Sequence, residues 1–169
     1  GPILEPSEGE VLVKVIWLSL DPYQRGPMWA THPYATPMEL GEVIVGGVVG
    51  KIVRSRTPAF TEGEVVEGPL GWQEYAVSDG NNLRKVDTSL GPLSTALGVL
   101  GMPGMTAYFG FLEVGQPRTG DTVVVSAASG AVGQVVGQIS KIMGCRTVGI
   151  AGTPEKIDYI KHDLGFDAR

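Results

Sequence analysis

The stretch Thr122–Gly133, with the sequence TVVVSAASGAVG, decides how the whole chain is interpreted. Thr122–Val125 is a run of β-favouring residues that leads into a turn of small residues containing Gly130. Apolar residues then recur at helical spacing, at Val132, Val135, Val136, Ile139 and Met143. The pattern predicts a strand, a glycine-containing turn and a helix over Ala131–Met143.

Such a turn has the features of a pyrophosphate site. Against the pattern G-x-G-x-x-G it reads Ala128-x-Gly130-x-x-Gly133, with alanine in the first place. Gly130 has no Cβ, so a phosphate could approach the backbone there, and Gly133 lets the helix lie close to the strand. The unpaired amides and the positive dipole end at the helix start favour an anion. Taken alone, the motif fits a tight turn without a ligand equally well.

The sequence after this motif repeats the arrangement. Cys145–Ile150 predicts a second strand, and Thr153 is placed to cap a helix whose first residue is Pro154. Gly165 is placed to end that helix. Its apolar face comprises Ile157, Ile160 and Leu164. Strand, helix, strand and helix in this order predict the opening of a dinucleotide-binding sheet, whose two strands pair in parallel.

The end of the second strand indicates which dinucleotide binds. NAD sites usually place an acidic residue there for the ribose hydroxyls, about 20 positions after the glycines. Ile150–Thr153 contains no carboxylate, and Lys156 follows just beyond. A neutral strand end with a nearby cation favours the 2′-phosphate of NADP. A solvated helix lysine is the alternative interpretation of Lys156.

Composition limits the class of protein. The 169 residues are 43% hydrophobic and 18% charged, which predicts a soluble globular protein with a real core. A net charge of −5 and a pI near 5.0 disfavour nucleic acid or a membrane as the main partner. The single cysteine, Cys145, excludes an internal disulfide framework and is expected to pack near a strand start. Val11–Leu20 is too short to span a bilayer, so a cytoplasmic protein is expected.

The first half of the chain has the pattern of an antiparallel barrel or sandwich. Short β-rich runs alternate with glycine and proline turns up to about residue 88. The predicted strands are Glu10–Ser19, Thr61–Val66, Trp72–Val77 and Asn81–Val86. Glu42–Arg54 is a long β-rich stretch that Gly46, Gly47 and Gly50 break, as in bent barrel strands. Between Glu10–Ser19 and this stretch, Leu20–Met28 has turn chemistry at Asp21-Pro22 and is expected to expose Tyr23 and Arg25.

From Pro92 the pattern becomes helical. Ser94–Leu100 predicts one helical piece, Met102-Pro103-Gly104 is expected to break it, and Met105–Val114 predicts its continuation. We therefore expect two domains, residues 1–93 and residues 94–169.

Four motifs together resemble a known family. They are Leu18–Arg25 (LSLDPYQR), Gly101–Tyr108 (GMPGMTAY), Ala127–Gly133 (AASGAVG) and Gly152–Lys156 (GTPEK). In this order they resemble the medium-chain dehydrogenase/reductase superfamily, in its zinc-independent branch of NADP-dependent alkenal/enone double-bond reductases. That branch includes prostaglandin (leukotriene B4) reductases, plant alkenal reductases and bacterial curcumin-reductase-like enzymes.

The resemblance implies a GroES-like catalytic domain followed by a Rossmann domain, with NADP as cofactor. It implies that Lys156 contacts the 2′-phosphate, that Met102 and Thr106 lie near the nicotinamide, and that Tyr23 lines the substrate pocket as the candidate catalytic residue. A half-buried aromatic that anchors the Asp21-Pro22 turn is the alternative for Tyr23. The residues expected to bind the cofactor are Met102, Thr106, Ala128, Gly130, Ala131, Val132, Gly133, Gly152, Thr153 and Lys156.

No metal is expected. Zinc-dependent relatives place a histidine near Leu40–Val43 and four structural cysteines in a later lobe, and this sequence has neither. His32 and His162 are isolated in sequence and are expected at the surface.

The implied activity is hydride transfer from NADPH to the β-carbon of an enal, enone or quinone, in an enzyme that is expected to be a homodimer. A complete doubly wound domain needs about a hundred residues or more. The 49 residues after Gly120 predict only two strands and two helices, so we expect the N-terminal half of an enzyme that is inactive alone. The edges of a two-stranded sheet must be covered by the chain itself, by another copy or by the remainder of the protein, and we expect the remainder or an association through the Rossmann half. The alternatives are a quinone oxidoreductase of the same superfamily, a non-catalytic nucleotide-binding module, and a GroES-like binding domain with a vestigial Rossmann portion.

Overall fold

The computed structural model describes residues 3–29 and 36–169, so His32 lies outside the described residues. The chain divides into two compact units, an N-terminal unit of residues 1–97 and a C-terminal unit of residues 98–169. The division falls slightly later than the predicted boundary between residues 93 and 94. The reason is a 3-10 turn, Leu93–Leu97, that contacts strands of the N-terminal unit.

The N-terminal unit is built on a five-stranded antiparallel sheet with strand order β4-β1-β2-β3-β5. The strands are β1 (Val11–Leu18), β2 (Val48–Ser55), β3 (Val65–Gly68), β4 (Tyr75–Ser78) and β5 (Arg84–Lys85). Val11 and Val13, two residues apart on β1, are fully buried on one face of the sheet, as the period of two predicts, and Leu12 and Val49 are buried as well. This core comprises Val11, Val13, Ile52 and Val66, with Phe60, Leu70 and Leu83 packed against it.

The sequence placed several strand bounds wrongly. Glu42–Arg54 was expected to be a β-rich stretch broken by glycines, and β2 begins only at Val48, after Gly46 and Gly47. The preceding backbone is instead tied to a loop, since Gly71 N donates to Gly46 O at 3.0 Å and Trp72 N donates to Ile44 O at 2.8 Å. The predicted strand at Thr61 also starts later, because Thr61–Glu64 closes a turn through the bond from Glu64 N to Thr61 O.

The C-terminal unit begins with helix α1 (Met102–Tyr108), which continues as a π-helical turn, Phe109–Gly115. The prediction that Met102-Pro103-Gly104 breaks a helix is wrong. Pro103 lies in the first turn of α1, where a residue without an N–H costs no hydrogen bond. Gly104 is also required there, because a Cβ on it would lie 1.8 Å from the carbonyl oxygen of Val99.

The predicted strand–helix–strand–helix order is confirmed. It consists of β6 (Thr122–Val125), α2 (Gly133–Ile142), β7 (Arg146–Gly149) and α3 (Pro154–Asp158), which continues as a π-helical turn, Tyr159–Asp163. Strands β6 and β7 pair in parallel, with Thr122 opposite Arg146 and Val125 opposite Gly149. The chain then leaves this helical segment at Gly165, whose φ is +69°.

The outer edge of β7 is covered by this chain itself, which was one of the alternatives, and not by the remainder of the protein as expected. Val148 forms a parallel bridge with Ala168, and Gly149 N donates to Ala168 O at 2.9 Å. The carboxylate of Asp167 accepts a hydrogen bond from Thr147 N at 2.7 Å and pairs with Lys141 Nζ at 3.2 Å. A third strand position is thus fixed beside β7.

Helix α2 packs on the sheet through small residues rather than through the predicted apolar stripe. Gly133, Gly137 and Ser140 are its buried residues, while Val132 is exposed and Val136 only half-buried. A Cβ on Gly137 would lie 2.0 Å from the ring of Phe166, so that ring occupies the place of a side chain. The core of this unit comprises Val125, Ala128, Ile160 and Phe166.

Candidate functional site

The turn between β6 and α2 is tightly folded and partly strained. Ala127 has a φ of +47°, in the left-handed region that favours glycine, and its carbonyl accepts a hydrogen bond from Gly130 N at 2.8 Å. Ala128 is fully buried and its N–H donates to Ile150 O at 3.0 Å. The left-handed position in this turn is therefore Ala127, although the pattern had aligned Ala128 with the first glycine.

Gly133 performs the role that its place in the pattern predicts. A Cβ there would lie 2.4 Å from Ala127 O and 2.9 Å from Ala128 Cα, so only glycine permits this approach of helix to turn. Gly130 is less constrained, with a Cβ position 3.1 Å from Ala127 O.

The start of α2 presents free hydrogen-bond donors. Within the described part of the chain, the N–H groups of Ala131, Val132 and Gly133 have no acceptor. The first turn of α2 carries no acidic residue to occupy or repel an anion. Three successive free amides at the positive end of a ten-residue helix form a suitable site for a phosphate.

The end of β7 lies beside this turn, because the carboxyl ends of paired parallel strands meet at one edge of the sheet. Ile150 N donates to Val125 O at 2.8 Å, and Ile150 O accepts from Ala128 N. Residues 150–153 carry no charge, and Gly152 is exposed, with open space where a Cβ would stand. The structure thus brings the predicted 128–133 and 150–153 segments together.

Thr153 and Lys156 begin α3. Thr153 Oγ1 accepts a hydrogen bond from Lys156 N at 3.3 Å, which confirms the predicted cap. The pKa of the Glu155 carboxyl is lowered, first by a hydrogen bond from the backbone N–H of Glu155 and then by one from the Thr153 hydroxyl. Lys156 is exposed, and among the described residues it has no ion-pair partner, so its ammonium is available to an anion.

Met102 and Thr106 share one side of α1, where Thr106 Oγ1 donates to Met102 O at 2.7 Å. Both side chains are exposed, and α1 contacts α2. Their predicted approach to a nicotinamide stays a prediction.

Tyr23 belongs to the N-terminal unit, on a 3-10 helix, Pro22–Met28, that the sequence had presented only as a turn. Its side chain is 50% exposed, and Arg25 is exposed as well, as predicted. Gln24, next to it, is 3% exposed and was not identified from sequence as important.

A cluster of four residues, which we call the Gln24 cluster, fixes that 3-10 helix. Gln24 Oε1 accepts from Asp21 N at 3.0 Å, and Gln24 Nε2 donates to Ser19 O at 3.1 Å and to Ser19 Oγ at 3.2 Å. Trp72 Nε1 donates to the same Ser19 O at 3.2 Å. A Cβ on Gly46 would lie 2.7 Å from Gln24 Nε2 and 2.8 Å from Trp72 Nε1. The cluster comprises Ser19, Gln24, Gly46 and Trp72.

Comparison with known proteins identifies the family. The profile of a family described as the N-terminal domain of oxidoreductase matches residues 2–86. The chain is 48% identical over 165 residues to the NADPH-dependent curcumin reductase of Escherichia coli (strain K12), across 98% of this chain and 48% of that protein. It is 48% identical over 160 residues to the 2-alkenal reductase (NADP(+)-dependent) of Nicotiana tabacum, across 94% of this chain and 47% of that protein.

The chain belongs to the zinc-independent medium-chain dehydrogenase/reductases. The crystal structure of CurA in complex with NADPH from Vibrio vulnificus matches 99% of this chain and 50% of CurA, with a TM-score of 0.91 and 49% identity. The fold is thus that of a GroES-like domain followed by the first half of a Rossmann domain. The chain spans about half the length of these curated relatives.

Cys145 and His162, two further residues considered from sequence, lie where the sequence predicts in this dehydrogenase/reductase chain. Cys145 is buried near the start of β7, as predicted, and donates to Arg118 O at 3.4 Å. His162 is exposed. Across residues 3–29 and 36–169, no group of three or more His, Cys, Asp or Glu side chains could hold a metal ion. No helix in the same residues is both long and apolar enough to cross a membrane.

Two features, one in each unit, were missed from sequence. One is the Gln24 cluster, although the spacing Asp21-x-x-Gln24 matches a capping box and could have indicated part of it. The other is a hydrogen bond from Tyr159 Oη to Gln134 Oε1, 3.0 Å long, which joins two helical segments. No local pattern indicates that second contact.

Proposed function

We propose that the protein containing this chain is an NADP-dependent oxidoreductase that reduces the C=C bond of α,β-unsaturated ketones and aldehydes. One observation on the described residues carries the proposal. Amides without an acceptor at the start of α2 lie at the same sheet edge as a carboxylate-free strand end, and Lys156, which has no ion-pair partner in that part of the chain, follows this strand end. The relatives named above are an NADPH-dependent reductase of curcumin and an NADP-dependent reductase of 2-alkenals, and this supports the substrate class.

The residues present fit the cofactor's phosphates. Ala131, Val132 and Gly133 would donate backbone N–H groups to the pyrophosphate, and the close packing at Gly133 places those amides at the turn. Gly130 and Gly152 would leave room for the ligand near the backbone, and Ala128 would anchor the turn to the end of β7. Lys156 would pair with the 2′-phosphate, with Thr153 holding the first turn of its helix.

NADPH, when bound, would supply the hydride for the β-carbon of the substrate, and solvent or a tyrosine would supply the proton for the α-carbon. The chain's own residues would bind and orient the reactants. Met102 and Thr106 would line the nicotinamide end, and Tyr23 Oη would donate a hydrogen bond to the substrate oxygen as negative charge develops there. Such a donor stabilises the transition state more than the ground state, which is what raises the rate.

The cofactor assignment is tested with two separate variants of the protein at its full natural length, each of which removes the charge of one lysine. Lys156→Ala should raise the Kd for NADPH about 10-fold or more and leave the Kd for NADH nearly unchanged, because a charge-assisted hydrogen bond contributes about 1.5–3 kcal/mol. Lys161→Ala, two residues after Tyr159 and also exposed, is the matched control and should alter neither. Equal losses for both cofactors in Lys156→Ala would contradict the assignment.

The reaction is tested by following NADPH consumption with an enone and analysing the product. A saturated ketone is expected. An allylic alcohol would contradict C=C reduction, and tight NADPH binding without turnover of any enone, enal or quinone would favour the non-catalytic module.

We also propose a homodimer, quinones as further substrates, and a cytoplasmic location. Light scattering tests the first, and turnover of a soluble benzoquinone tests the second. Cell fractionation tests the third.

A further inference from the structure

The two helical segments that carry the proposed phosphate contacts are joined by one side-chain hydrogen bond. Tyr159 Oη donates to Gln134 Oε1 at 3.0 Å. Gln134 directly follows Gly133, in the first turn of α2. Tyr159 follows Lys156 by three residues, so the two lie on neighbouring positions of one helical surface.

The segment that carries Lys156 is anchored in the unit's core beyond α3, by the fully buried Ile160 and the half-buried Leu164. Helix α3 itself has only five residues, and none of them is buried. Among the described residues, the Tyr159–Gln134 contact is the side-chain hydrogen bond that ties α3 and its π-helical extension to α2.

This link matters because the pyrophosphate and the 2′-phosphate of NADP belong to one molecule and have a fixed range of separations. A lysine on a short, exposed helix loses conformational freedom when it binds, and that loss is smaller if the helix is already held in place. A restraint between the start of α2 and the residue after the Lys156 turn therefore favours the ligand that contacts both ends.

We propose that Tyr159 and Gln134 are positioning residues that hold Lys156 relative to the start of α2 and so increase the preference for NADP over NAD. The inference rests on the proposed cofactor site. Neither side chain needs to touch the cofactor, and the effect is transmitted through the placement of α3.

The test is calorimetric titration of NADP⁺ and of NAD⁺ into the protein at its full natural length, with the ratio of the two Kd values as readout. Tyr159→Phe removes only the hydroxyl, and Gln134→Met removes the acceptor at similar volume. Each should lower the preference for NADP⁺ about 2- to 10-fold, the range expected for one net hydrogen bond. The double variant should lose no more than either single variant, since both remove the same contact.

Tyr75→Phe in the N-terminal unit is the matched control and should leave the ratio unchanged. Equal weakening of both cofactors, or a lower unfolding temperature with an unchanged ratio, would show a structural role alone and overturn the inference. A change in one variant only, or additive losses in the double variant, would overturn it as well. If the unmodified protein shows no preference for NADP⁺, the proposed cofactor site itself fails, and this inference falls with it.

Discussion

The glycine turn of the C-terminal unit and the Gln24 cluster of the N-terminal unit both depend on a glycine, but for different reasons. Gly133 is surrounded by backbone atoms from residues a few positions earlier in the chain. Gly46 is surrounded by two side chains, of Gln24 and Trp72, that come from distant parts of the sequence. The first arrangement is local and follows from a motif, whereas the second exists only after the N-terminal unit has folded.

This difference between backbone and side-chain neighbours also determines how each region responds to a substitution. Backbone atoms in a packed turn move only if the helix moves, so an added methyl group at Gly133 displaces the start of α2. Side-chain ends move at lower cost, but in the Gln24 cluster they are the hydrogen-bonding groups, so displacement leaves buried donors and acceptors without partners.

The largest expected effect is that of Gly133→Ala. The new Cβ would lie 2.4 Å from Ala127 O and 2.9 Å from Ala128 Cα, and overpacking of this kind costs about 3 kcal/mol. Urea unfolding followed by far-UV circular dichroism should show the loss, and NADP⁺ binding should fall with it. Gly152→Ala, whose Cβ meets open space, should shift the free energy of unfolding by less than about 0.5 kcal/mol. Similar curves for the two variants would show that Gly133 is not needed for close packing.

This contrast explains what could be predicted from the sequence. The order from β6 to α3 followed from local signals: hydrophobic period, a capping threonine at Thr153 and a terminating glycine at Gly165. The buried face of α2 did not follow, because close packing of helix on sheet selects Gly137 and Ser140 over larger apolar residues. A hydrophobic pattern records which residues avoid water, and it does not record which of them lie nearest the sheet.

The candidate cofactor residues could be placed from sequence because the turn and the strand end are each continuous segments with local signals. It could not find Gln24 as a buried residue, because the bond from Trp72 to Ser19 joins residues 53 positions apart. Nor could it find the Tyr159–Gln134 contact, which spans 25 positions between two exposed helical surfaces.

The second prediction concerns the Gln24 cluster. Gln24→Leu leaves Asp21 N and Ser19 Oγ without this partner in a partly buried place, so the N-terminal unit should lose about 1–2 kcal/mol. Trp17, Trp29 and Trp72 are the three tryptophans of the chain and all lie in that unit, so tryptophan fluorescence reports its unfolding.

The control for this prediction is Gln138→Leu, an exposed change on α2 that should leave the fluorescence transition in place. Gly46→Ala should destabilise the same transition, and adding it to Gln24→Leu should cost less than the sum of the two. Additive losses would mean that Gly46 and Gln24 act separately and that no cluster exists.

The third prediction is a pH dependence of the C-terminal unit that Asp167 contributes. A hydrogen bond from Thr147 N, and then the Lys141 ammonium, lower the pKa of Asp167 below its ordinary value of about 3.9. A carboxyl with a lowered folded-state pKa stabilises the fold above its unfolded-state pKa and loses that contribution as pH falls. The unit's stability should therefore decrease as pH falls below about 5 and through the folded-state pKa, and Asp167→Asn should reduce this part of the slope.

The matched control for Asp167→Asn is Asp163→Asn, an exposed aspartate in the same unit whose removal should leave the acid limb unchanged. Because the Asp167 side chain is 40% exposed and screened by solvent, its effect should be smaller than that of the buried Gln24. An acid limb that survives Asp167→Asn would assign the pH dependence to other carboxyl groups.

The smallest expected effect separates two neighbouring alanines in the glycine turn. Ala127 has a φ of +47°, so Ala127→Gly removes a left-handed strain of about 1–2 kcal/mol but adds about 0.5–1 kcal/mol of chain entropy to the unfolded state. The net result should be a small stabilisation, below about 1 kcal/mol. Ala128→Gly has no such strain to remove and loses a fully buried methyl group beside Gly149, so it should destabilise by about 1 kcal/mol. Urea unfolding by circular dichroism distinguishes opposite signs. If both variants destabilise equally, the turn holds Ala127 without strain. Ala128 is then the residue that replaces the first glycine of the pattern.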